Sequence, residues 1–198
     1  MSARLLLLLN GSPVRGSSVD RLLEAAAEGA REAGGEAEMV RAYDLRAKAC
    51  IACGPDATDG YCIFHDDMDP VYALLERAHA VVVGSPIYFD TVSAPLKLLI
   101  DRCNCLTPLV TLPDGRREMV PKWARTRRAA FVTVHERAGR YDMAERTVRG
   151  FLKWAGAKWE ETLAWPHEDH ETGSVPDDVL ARAHALGRRL TLSDPLRP

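Results

Sequence analysis

A run of five consecutive leucines near the start of the chain, Leu5–Leu9, constrains the fold more than any other sequence feature. The run ends abruptly at Asn10-Gly11-Ser12-Pro13, which is a turn sequence and not the small-residue cleavage region of a signal peptide. A short, unbroken apolar run followed by a turn is typical of a strand that is covered on both faces, as in a parallel sheet. We therefore predict a buried strand here rather than a secretory leader.

Strand and helix patterns alternate along the rest of the chain. After Ser18, apolar residues recur about every 3.6 residues until Gly34-Gly35, which predicts an amphipathic helix that ends at a glycine. The alternation of Ala37–Tyr43 predicts a second strand near a sheet edge. Further strands are predicted at Ala80–Val83, Ala129–Val134 and Trp159–Trp165. Two further helices are predicted to begin at Asp69-Pro70, with the proline as the first helical residue, and at Ser93-Ala94-Pro95. The last two helices are predicted over Met143–Ala155 and Asp177–Leu190. Residues 46–68 and 107–124 lack such patterns and predict two loop excursions.

Strands that alternate with helices in this way predict an α/β fold, a doubly wound five-stranded parallel sheet. The strand order that fits these units is flavodoxin-like, 2-1-3-4-5. Ligands of such sheets bind beyond the carboxyl ends of the strands, where the chain switches direction between strands one and three. We expect one domain over residues 1–198, with its functional residues in the loops after strands one, three and four.

Composition excludes several classes of partner. The chain has 198 residues, of which 46% are hydrophobic and 27% are charged, as in ordinary globular proteins. Its 26 basic and 28 acidic residues give a net charge of −2, so no basic field attracts nucleic acid or an anionic membrane. No segment has the length and hydropathy of a membrane span. Because the five cysteines occur without a secretory signal, we expect a cytoplasmic protein with a small-molecule ligand.

The loop after the first strand, residues 10–18, has the composition of an anion site. It precedes a helix N-terminus, where unpaired N–H groups and the helix dipole attract negative charge. Two glycines permit close approach of the backbone, and three serines supply hydroxyl donors: Ser12, Ser17 and Ser18. A nucleoside-triphosphate loop would need a lysine where Ser17 stands, and the dinucleotide pattern Gly-x-Gly-x-x-Gly is absent. A phosphomonoester is therefore the predicted ligand; alternatively, the serines merely cap the helix.

Two consecutive aromatic residues follow the third strand, in Gly84-Ser85-Pro86-Ile87-Tyr88-Phe89-Asp90. At the mouth of the switch point, aromatic rings offer stacking faces and an apolar wall for a flat, conjugated ligand. Alternatively, they form a packed turn that covers the end of the sheet. His135-Glu136-Arg137 follows the fourth strand and so faces the same crevice by topology.

Five short segments carry a joint resemblance to a known family. They are Asn10-Gly11-Ser12-Pro13 to Ser18, Asp66-Asp67-Met68, Gly84-Ser85-Pro86-Ile87-Tyr88-Phe89, Ser93-Ala94-Pro95-Leu96-Lys97 and Asp101-Arg102. Together they resemble the NADPH-dependent FMN reductase family, which is flavodoxin-like and includes the iron–sulfur flavoproteins. The resemblance covers about residues 4–165.

The resemblance implies an FMN cofactor with its phosphate in the first loop. The cofactor-binding residues would be Ser12, Arg15, Ser17 and Ser18 in that loop, Pro86, Ile87, Tyr88 and Phe89 against the ring, and Thr133, His135 and Gly139 on its other side. Arg137 or Arg140 would meet the flavin edge or the extra phosphate of NADPH, unless both are surface charges. Family members often carry Arg and Thr where this chain has Val14 and Val19, so Arg15 would supply the missing charge.

The implied activity is that of an FMN-dependent NAD(P)H oxidoreductase, which passes electrons to a quinone, a flavin, an azo compound or a similar small acceptor. The flavin carries the chemistry, so no side chain is assigned as catalytic. The resemblance also implies a homodimer or homotetramer. One alternative is an electron-transfer flavoprotein with a protein partner, which the near-neutral charge disfavours. The other is a flavin-less binding or regulatory domain with a Cys/His metal loop, which Val14 and Val19 favour.

The cysteines of the first excursion suggest an incomplete metal motif. Cys50, Cys53 and Cys62 fall where iron–sulfur flavoproteins place four cysteines around a cluster, but Asp56 stands where a further cysteine belongs. A four-iron cluster normally needs four thiolates, so free thiols and no metal are the favoured interpretation. The alternative is a zinc site in which His65 joins the three cysteines.

Overall fold

The five leucines lie in strand β1 (Leu5–Asn10), which is buried along its whole length. Leu7 and Leu9 face one hydrophobic core, whereas Leu6 and Leu8 face another, because successive side chains of a strand point to opposite faces. The predicted buried strand is therefore confirmed. The computed structural model describes residues 4–54, 61–123, 126–136, 140–166 and 173–194.

Strands and helices alternate along the chain as predicted. The helices are α1 (Ser18–Glu32), α2 (Met68–Arg77), α3 (Ala94–Arg102), α4 (Asp142–Trp154) and α5 (Asp177–Leu192). The strands after β1 are β2 (Glu36–Arg41), β3 (Ala80–Tyr88), β4 (Thr91–Val92), β5 (Leu109–Thr111), β6 (Arg117–Met119), β7 (Arg127–His135) and β8 (Ala157–Pro166). Short 3-10 helices span Ala42–Asp44 and Cys103–Leu106. Within the described residues, no helix combines the length and the apolar character that crossing a bilayer requires.

Five parallel strands form the main sheet in the order β2-β1-β3-β7-β8. Because β7 and β8 are the fourth and fifth strands of the alternating pattern, this is the order 2-1-3-4-5. The α/β, flavodoxin-like fold predicted from the sequence is confirmed. The short strand β4 pairs antiparallel with the end of β3 and so turns the chain back after the aromatic residues.

Helices cover both faces of the sheet. Side chains of α2, α3 and α4 pack into one core, and side chains of α1 and α5 pack into the other. Helices α1 and α5 touch through their backbones: a Cβ atom at Gly187 would lie 1.8 Å from the Ala26 carbonyl oxygen. A Cβ atom at Gly29 would lie 2.0 Å from the His184 carbonyl oxygen. Glycine at both positions thus permits the close approach of the two helices.

Three local predictions were wrong. Strand β2 ends at Arg41, and Tyr43 lies exposed in a 3-10 helix rather than in the strand. Helix α2 begins at Met68, so Pro70 is its third residue and not its first; a proline is tolerated there because first-turn N–H groups have no intrahelical acceptor. Residues 107–124 are not irregular throughout, since β5 and β6 form a hairpin whose three-residue strands are too short to show a pattern.

Candidate active site

The loops after β1, β3 and β7 lie together at the carboxyl end of the sheet, because these adjacent strands run in the same direction. The Gly11 N–H donates to the Gly84 carbonyl at 2.7 Å, which joins the first loop to β3. The hydroxyl of Ser93, the N-cap of α3, donates to the Gly11 carbonyl. A Cβ atom at Gly11 would lie 2.8 Å from the Leu96 Cβ, so only glycine permits this approach.

Two of the predicted serines form a hydrogen-bonded chain inside the first loop. Ser17 is the N-cap of α1: its hydroxyl accepts the Asp20 N–H at 3.2 Å and donates to the Ser12 hydroxyl at 2.8 Å. Ser12 in turn donates to the Val14 carbonyl at 3.1 Å, and both serines are buried. The interpretation that a serine caps the helix is therefore correct for Ser17. The loop is ordered by its own hydrogen bonds.

The N-terminus of α1 keeps donors available for an anion. The first N–H groups of a helix have no intrahelical acceptor, and Ser17 satisfies that of Asp20. Among the described residues, the N–H groups of Ser18 and Val19 bond to no protein acceptor. The Ser18 hydroxyl accepts the Gly173 N–H at 3.2 Å, which brings the segment before α5 against this loop. These N–H groups and the helix dipole can hold a phosphate.

A buried carboxylate that the sequence analysis missed, Asp20, organises the same loop. It is 1% exposed, accepts the Asn10 amide at 2.6 Å and the Gly16 N–H at 2.7 Å, and forms an ion pair with Arg41. Its negative charge lies beside the candidate anion site, and Arg41 balances that charge. The signal was present in the sequence: a serine N-cap followed three residues later by an acidic residue is the capping-box pattern.

The charge expected from Arg15 is shared with another side chain. Its guanidinium contacts the Asp44 carboxylate at 2.6 Å and is 73% exposed. Val14, where family members often carry arginine, is also exposed and adds no charge. Arg15 remains a predicted phosphate contact, but it has to leave Asp44 or bridge both groups.

Tyr88 is the last residue of β3, not part of a loop after it as predicted, and the next two residues form a strained hairpin turn. Ile87 pairs with Val92 and Tyr88 pairs with Thr91, which leaves Phe89 and Asp90 as the turn. Phe89 and Asp90 have φ angles of 50° and 63°, in the left-handed region that bulky side chains avoid. The Phe89 ring is fully exposed, at 102%. Backbone strain and exposed aromatic area at one point are typical of a binding site. The alternative of a packed aromatic turn is wrong for Phe89.

The aromatic turn and the end of β7 enclose a cavity of 590 Å³, which Ile87–Asp90, His135, Glu136 and Arg140 line. His135 is 6% exposed and its ring lies 5.1 Å from the ring of Tyr141. Its Nδ1 is buried and has no hydrogen-bond partner among the described residues. An unpaired buried polar atom is costly, so this nitrogen is a candidate ligand contact.

The remaining predicted residues support this crevice or lie outside the described residues. Thr133 is buried and donates its hydroxyl to the Ser85 carbonyl at 2.8 Å, so it joins β7 to β3. Pro86 is half-buried beside Ile87 at the end of β3. Arg137 and Gly139 lie outside the described residues. The structure thus brings the anion loop, the aromatic turn and His135 to one end of the sheet, an arrangement that suits a flat ring joined to a phosphate, as in FMN.

A second cavity, of 420 Å³, contains the cysteines of the first excursion. Cys50, Cys53, Cys62 and also Cys105 line it. The predicted fourth zinc ligand is not there: His65 is 87% exposed and bonds to Asp69 at 3.3 Å. Within the described residues, no group of three or more His, Cys, Asp or Glu side chains is placed to hold one metal ion.

A buried ion pair holds the cysteine excursion against α3. The Arg102 guanidinium bonds to the Asp66 carboxylate at 2.7 Å and to the Lys48 carbonyl at 2.8 Å. Burial alone would raise the pKa of Asp66, but hydrogen bonds from Arg102 and from the N–H groups of Lys48 and Met68 outweigh it and lower that pKa. Burial raises the pKa of the Cys105 thiol, so this thiol is protonated at neutral pH.

Comparison with known proteins gives a flavoprotein family and individual flavoproteins as relatives. The NADPH-dependent FMN reductase family matches residues 4–159. An iron-sulfur flavoprotein of Methanosarcina thermophila is 34% identical over 94 residues, which cover 48% of this chain and 49% of that protein. One of Archaeoglobus fulgidus is 35% identical over 107 residues, 54% of this chain and 45% of that protein. The chain therefore spans about half the length of these relatives.

Among solved structures, the fold resembles that of an NAD(P)H:quinone oxidoreductase from Methanothermobacter marburgensis, with a TM-score of 0.68. The two chains are 20% identical, and the match covers 96% of this chain and 100% of that one. At this identity the likeness concerns the fold alone. The family match extends from β1 into β8 and so includes the whole crevice. The chain belongs to the NADPH-dependent FMN reductase family.

Proposed function

We propose that this protein is an FMN-dependent oxidoreductase that uses NAD(P)H to reduce a small acceptor such as a quinone, a flavin or an azo compound. The observation that carries the proposal is the 590 Å³ cavity that the exposed aromatic turn and His135 line together. FMN, when bound, supplies a ring that takes up a hydride and releases electrons to the acceptor. The protein supplies binding, orientation and exclusion of water.

The first loop would hold the phosphate of FMN. The N–H groups of Ser18 and Val19, in the first turn of α1, would donate to the phosphate, and the hydroxyls of Ser12 and Ser17 lie in the same buried loop. The Asp20 carboxylate holds this loop in place by accepting the Gly16 N–H, while Arg41 balances the charge of Asp20. Arg15 joins the phosphate when it exchanges Asp44 for the ligand.

The end of β3 and the end of β7 would hold the ring. Ile87, Tyr88 and Phe89 would provide the apolar wall, and His135, which lines the same cavity, would bond to a polar edge of the ring. The exposed Arg140 lies in the same cavity and suits a phosphate of the pyridine nucleotide. Thr133 acts as a support, since its hydroxyl is already committed to β3.

The fully exposed Phe89 fits a site that a second copy of the chain completes, so we propose a homodimer or homotetramer. Free cysteines favour a cytoplasmic location. A net charge of −2 gives little electrostatic steering towards a redox protein, which favours a small-molecule acceptor over a protein partner.

FMN titration followed by anaerobic mixing with NADH or NADPH tests the proposal. We expect binding at micromolar FMN and bleaching of the flavin absorbance by at least one of the two nucleotides. The variant His135→Phe should bind FMN more weakly, because it removes the proposed contact to the ring. It should remain folded, because burying an unpaired nitrogen destabilises the folded protein by about 1–3 kcal/mol and the variant removes that cost. Failure of the wild-type protein to bind FMN would overturn the proposal. Binding without bleaching would favour the electron carrier instead.

A further inference from the structure

We propose that Cys62 and Cys105 form a redox-active pair, in which hydrogen peroxide oxidises the two thiols to a disulfide. Cys62 belongs to the excursion between β2 and α2, whereas Cys105 lies in the 3-10 helix that follows α3. Both line the 420 Å³ cavity, which shares no lining residue with the cavity at the aromatic turn. The proposal therefore does not depend on FMN binding.

Arg102, the last residue of α3, contacts both sulfurs. Its Nη2 donates to the Cys62 Sγ at 3.4 Å, and its backbone carbonyl accepts the Cys105 thiol at 3.3 Å. Arg102 is 1% exposed, and the Asp66 carboxylate and the Lys48 carbonyl fix its guanidinium. The two sulfurs are thus anchored to one buried, well-held residue, which limits how far apart they can move.

The two sulfurs also lie close enough to influence each other electrostatically. Burial raises the pKa of the Cys105 thiol, and the neighbouring Cys62 raises it further, because a second negative charge nearby is unfavourable. The Tyr72 hydroxyl donates to the same Arg102 carbonyl at 3.0 Å. Burial raises the pKa of Tyr72, and both Cys105 and Cys62 add to that rise. The fold therefore gathers the two thiols into one cluster around Arg102 and Tyr72.

The surroundings of the two thiols suit different roles in an oxidation. A thiolate is the form of cysteine that attacks an oxidant, and the guanidinium that donates to the Cys62 Sγ stabilises negative charge on that sulfur. Cys62 is half-buried and lines the cavity, so a molecule as small as peroxide can reach it. Cys105 donates its proton to a carbonyl and has a raised pKa, so it suits the thiol that reacts second.

The oxidation balances in two steps. In the first, the Cys62 sulfur attacks one oxygen of hydrogen peroxide: an S–O bond forms, the O–O bond breaks, and the departing hydroxide becomes water with the proton that the Cys62 thiol released. In the second, the Cys105 sulfur attacks the Cys62 sulfur: the S–S bond forms, the S–O bond breaks, and the hydroxyl leaves as water with the Cys105 proton. Two thiols thus give two electrons to one peroxide.

The other cysteines lack this arrangement. Cys103, in the same 3-10 helix as Cys105, is 2% exposed and packs into the hydrophobic core, which shields it from peroxide. Cys50 accepts the Ala52 N–H at 3.5 Å, and Cys53 is exposed. Within the described part of the chain, neither of these two sulfurs forms a hydrogen bond with a charged side chain. Since only two residues separate them, a disulfide between Cys50 and Cys53 is the competing product.

Thiol counting and peptide mapping test the pair. The full chain, reduced and then desalted, should lose two of its five free thiols when one equivalent of hydrogen peroxide is added, and dithiothreitol should restore both. Alkylation and digestion before aspartates isolate Cys62, because Asp56 separates it from Cys53 and Asp59 and Asp66 flank it. The Cys62 peptide should be linked to the peptide that contains Cys105.

Matched variants identify the second thiol. Cys105→Ala should abolish the cross-link and leave Cys62 as a sulfenic acid, which dimedone labels. Cys103→Ala removes a thiol from the same 3-10 helix and should retain the cross-link. Fragmentation of the linked wild-type peptide in a mass spectrometer distinguishes Cys103 from Cys105 without any substitution. Circular dichroism shows whether each variant is folded.

Three results would overturn the proposal. The first is a wild-type protein that keeps all five thiols in excess peroxide. The second is a loss of thiols without a Cys62 cross-link, including a disulfide between Cys50 and Cys53. The third is a Cys62 cross-link that persists in folded Cys105→Ala. None of these results depends on whether FMN binds.

Discussion

The Asp20 carboxylate accepts the Gly16 N–H at 2.7 Å and thereby holds the anion loop closed on the first turn of its own helix. The same carboxylate pairs with Arg41 at the end of β2, so one buried side chain connects the ends of two strands to the loop. Its position is unusual for an anion site, because a negative charge repels phosphate. We therefore expect the affinity for FMN to depend on how completely Arg41 offsets that charge.

Replacing Asp20 with asparagine should strengthen FMN binding relative to riboflavin, which lacks the phosphate. Removing one charge next to a phosphate changes the interaction by on the order of 1–2 kcal/mol, or about tenfold in the FMN-to-riboflavin affinity ratio. The ratio is measured by fluorescence titration of both ligands. Glu24→Gln makes the same charge change on the exposed face of α1, where solvent screens it, and should leave the ratio unchanged. A ratio that falls in Asp20→Asn contradicts this account of the loop.

Replacing Phe89 with asparagine should stabilise the protein and weaken FMN binding. Asparagine tolerates the left-handed backbone of this turn, so the free energy of unfolding should rise by about 1 kcal/mol. Loss of the aromatic face should weaken FMN binding by about 1 kcal/mol, or about fivefold. Phe89→Ala keeps the strain and removes the ring, so it should lose affinity without gaining stability. Urea denaturation and FMN titration separate the two effects; lower stability in Phe89→Asn would mean that the ring has contacts in the free protein.

Replacing Asp66 with asparagine should destabilise the protein at neutral pH but much less in acid. The variant leaves the buried Arg102 without its counter-ion, at a cost of about 3 kcal/mol. Because the folded state lowers the pKa of Asp66, its contribution is complete above the ordinary carboxyl pKa of about 3.9 and disappears as pH falls through the lowered value. Denaturation curves of wild type and variant should therefore converge below about pH 4. Asp101→Asn, which breaks the exposed pair with Lys97, should cost at most about 0.5 kcal/mol at any pH. An equal loss in the free energy of unfolding for the two variants would show that the buried Asp66–Arg102 pair stabilises the protein no more than the exposed Lys97–Asp101 pair does.

Replacing Gly187 with alanine should destabilise the fold severely, because the new methyl group meets the Ala26 carbonyl oxygen. Overpacking of this kind costs about 3 kcal/mol, and it separates two helices that cover one face of the sheet. Gly150→Ala in α4 is the matched control: its methyl group has open space, and alanine favours the helix by about 1 kcal/mol. Thermal unfolding should therefore shift in opposite directions for the two variants. A neutral Gly187→Ala would mean that the helices separate easily.

Local sequence patterns were sufficient for the five helices, the five strands of the main sheet and the strand order. The side-chain periods of strands and helices involve neighbouring residues only, so the leucine run and the apolar stripe of α1 can be recognised without knowing what they pack against. Right-handed crossovers then leave few topologies for alternating strands and helices. The sequence patterns did not reveal the two short strands β5 and β6, because three residues are too few to show a period.

What the sequence alone determined is therefore the fold, the family and the end of the sheet at which the candidate ligand-binding loops meet. Only the tertiary structure decided that Asp20 is buried inside the anion loop, that Arg15 pairs with Asp44, and that Cys105 rather than His65 faces the motif cysteines. These are contacts between side chains whose meeting depends on how loops close and helices pack. Local propensity does not encode that geometry, because the burial and the charge partner of each group come from distant parts of the chain.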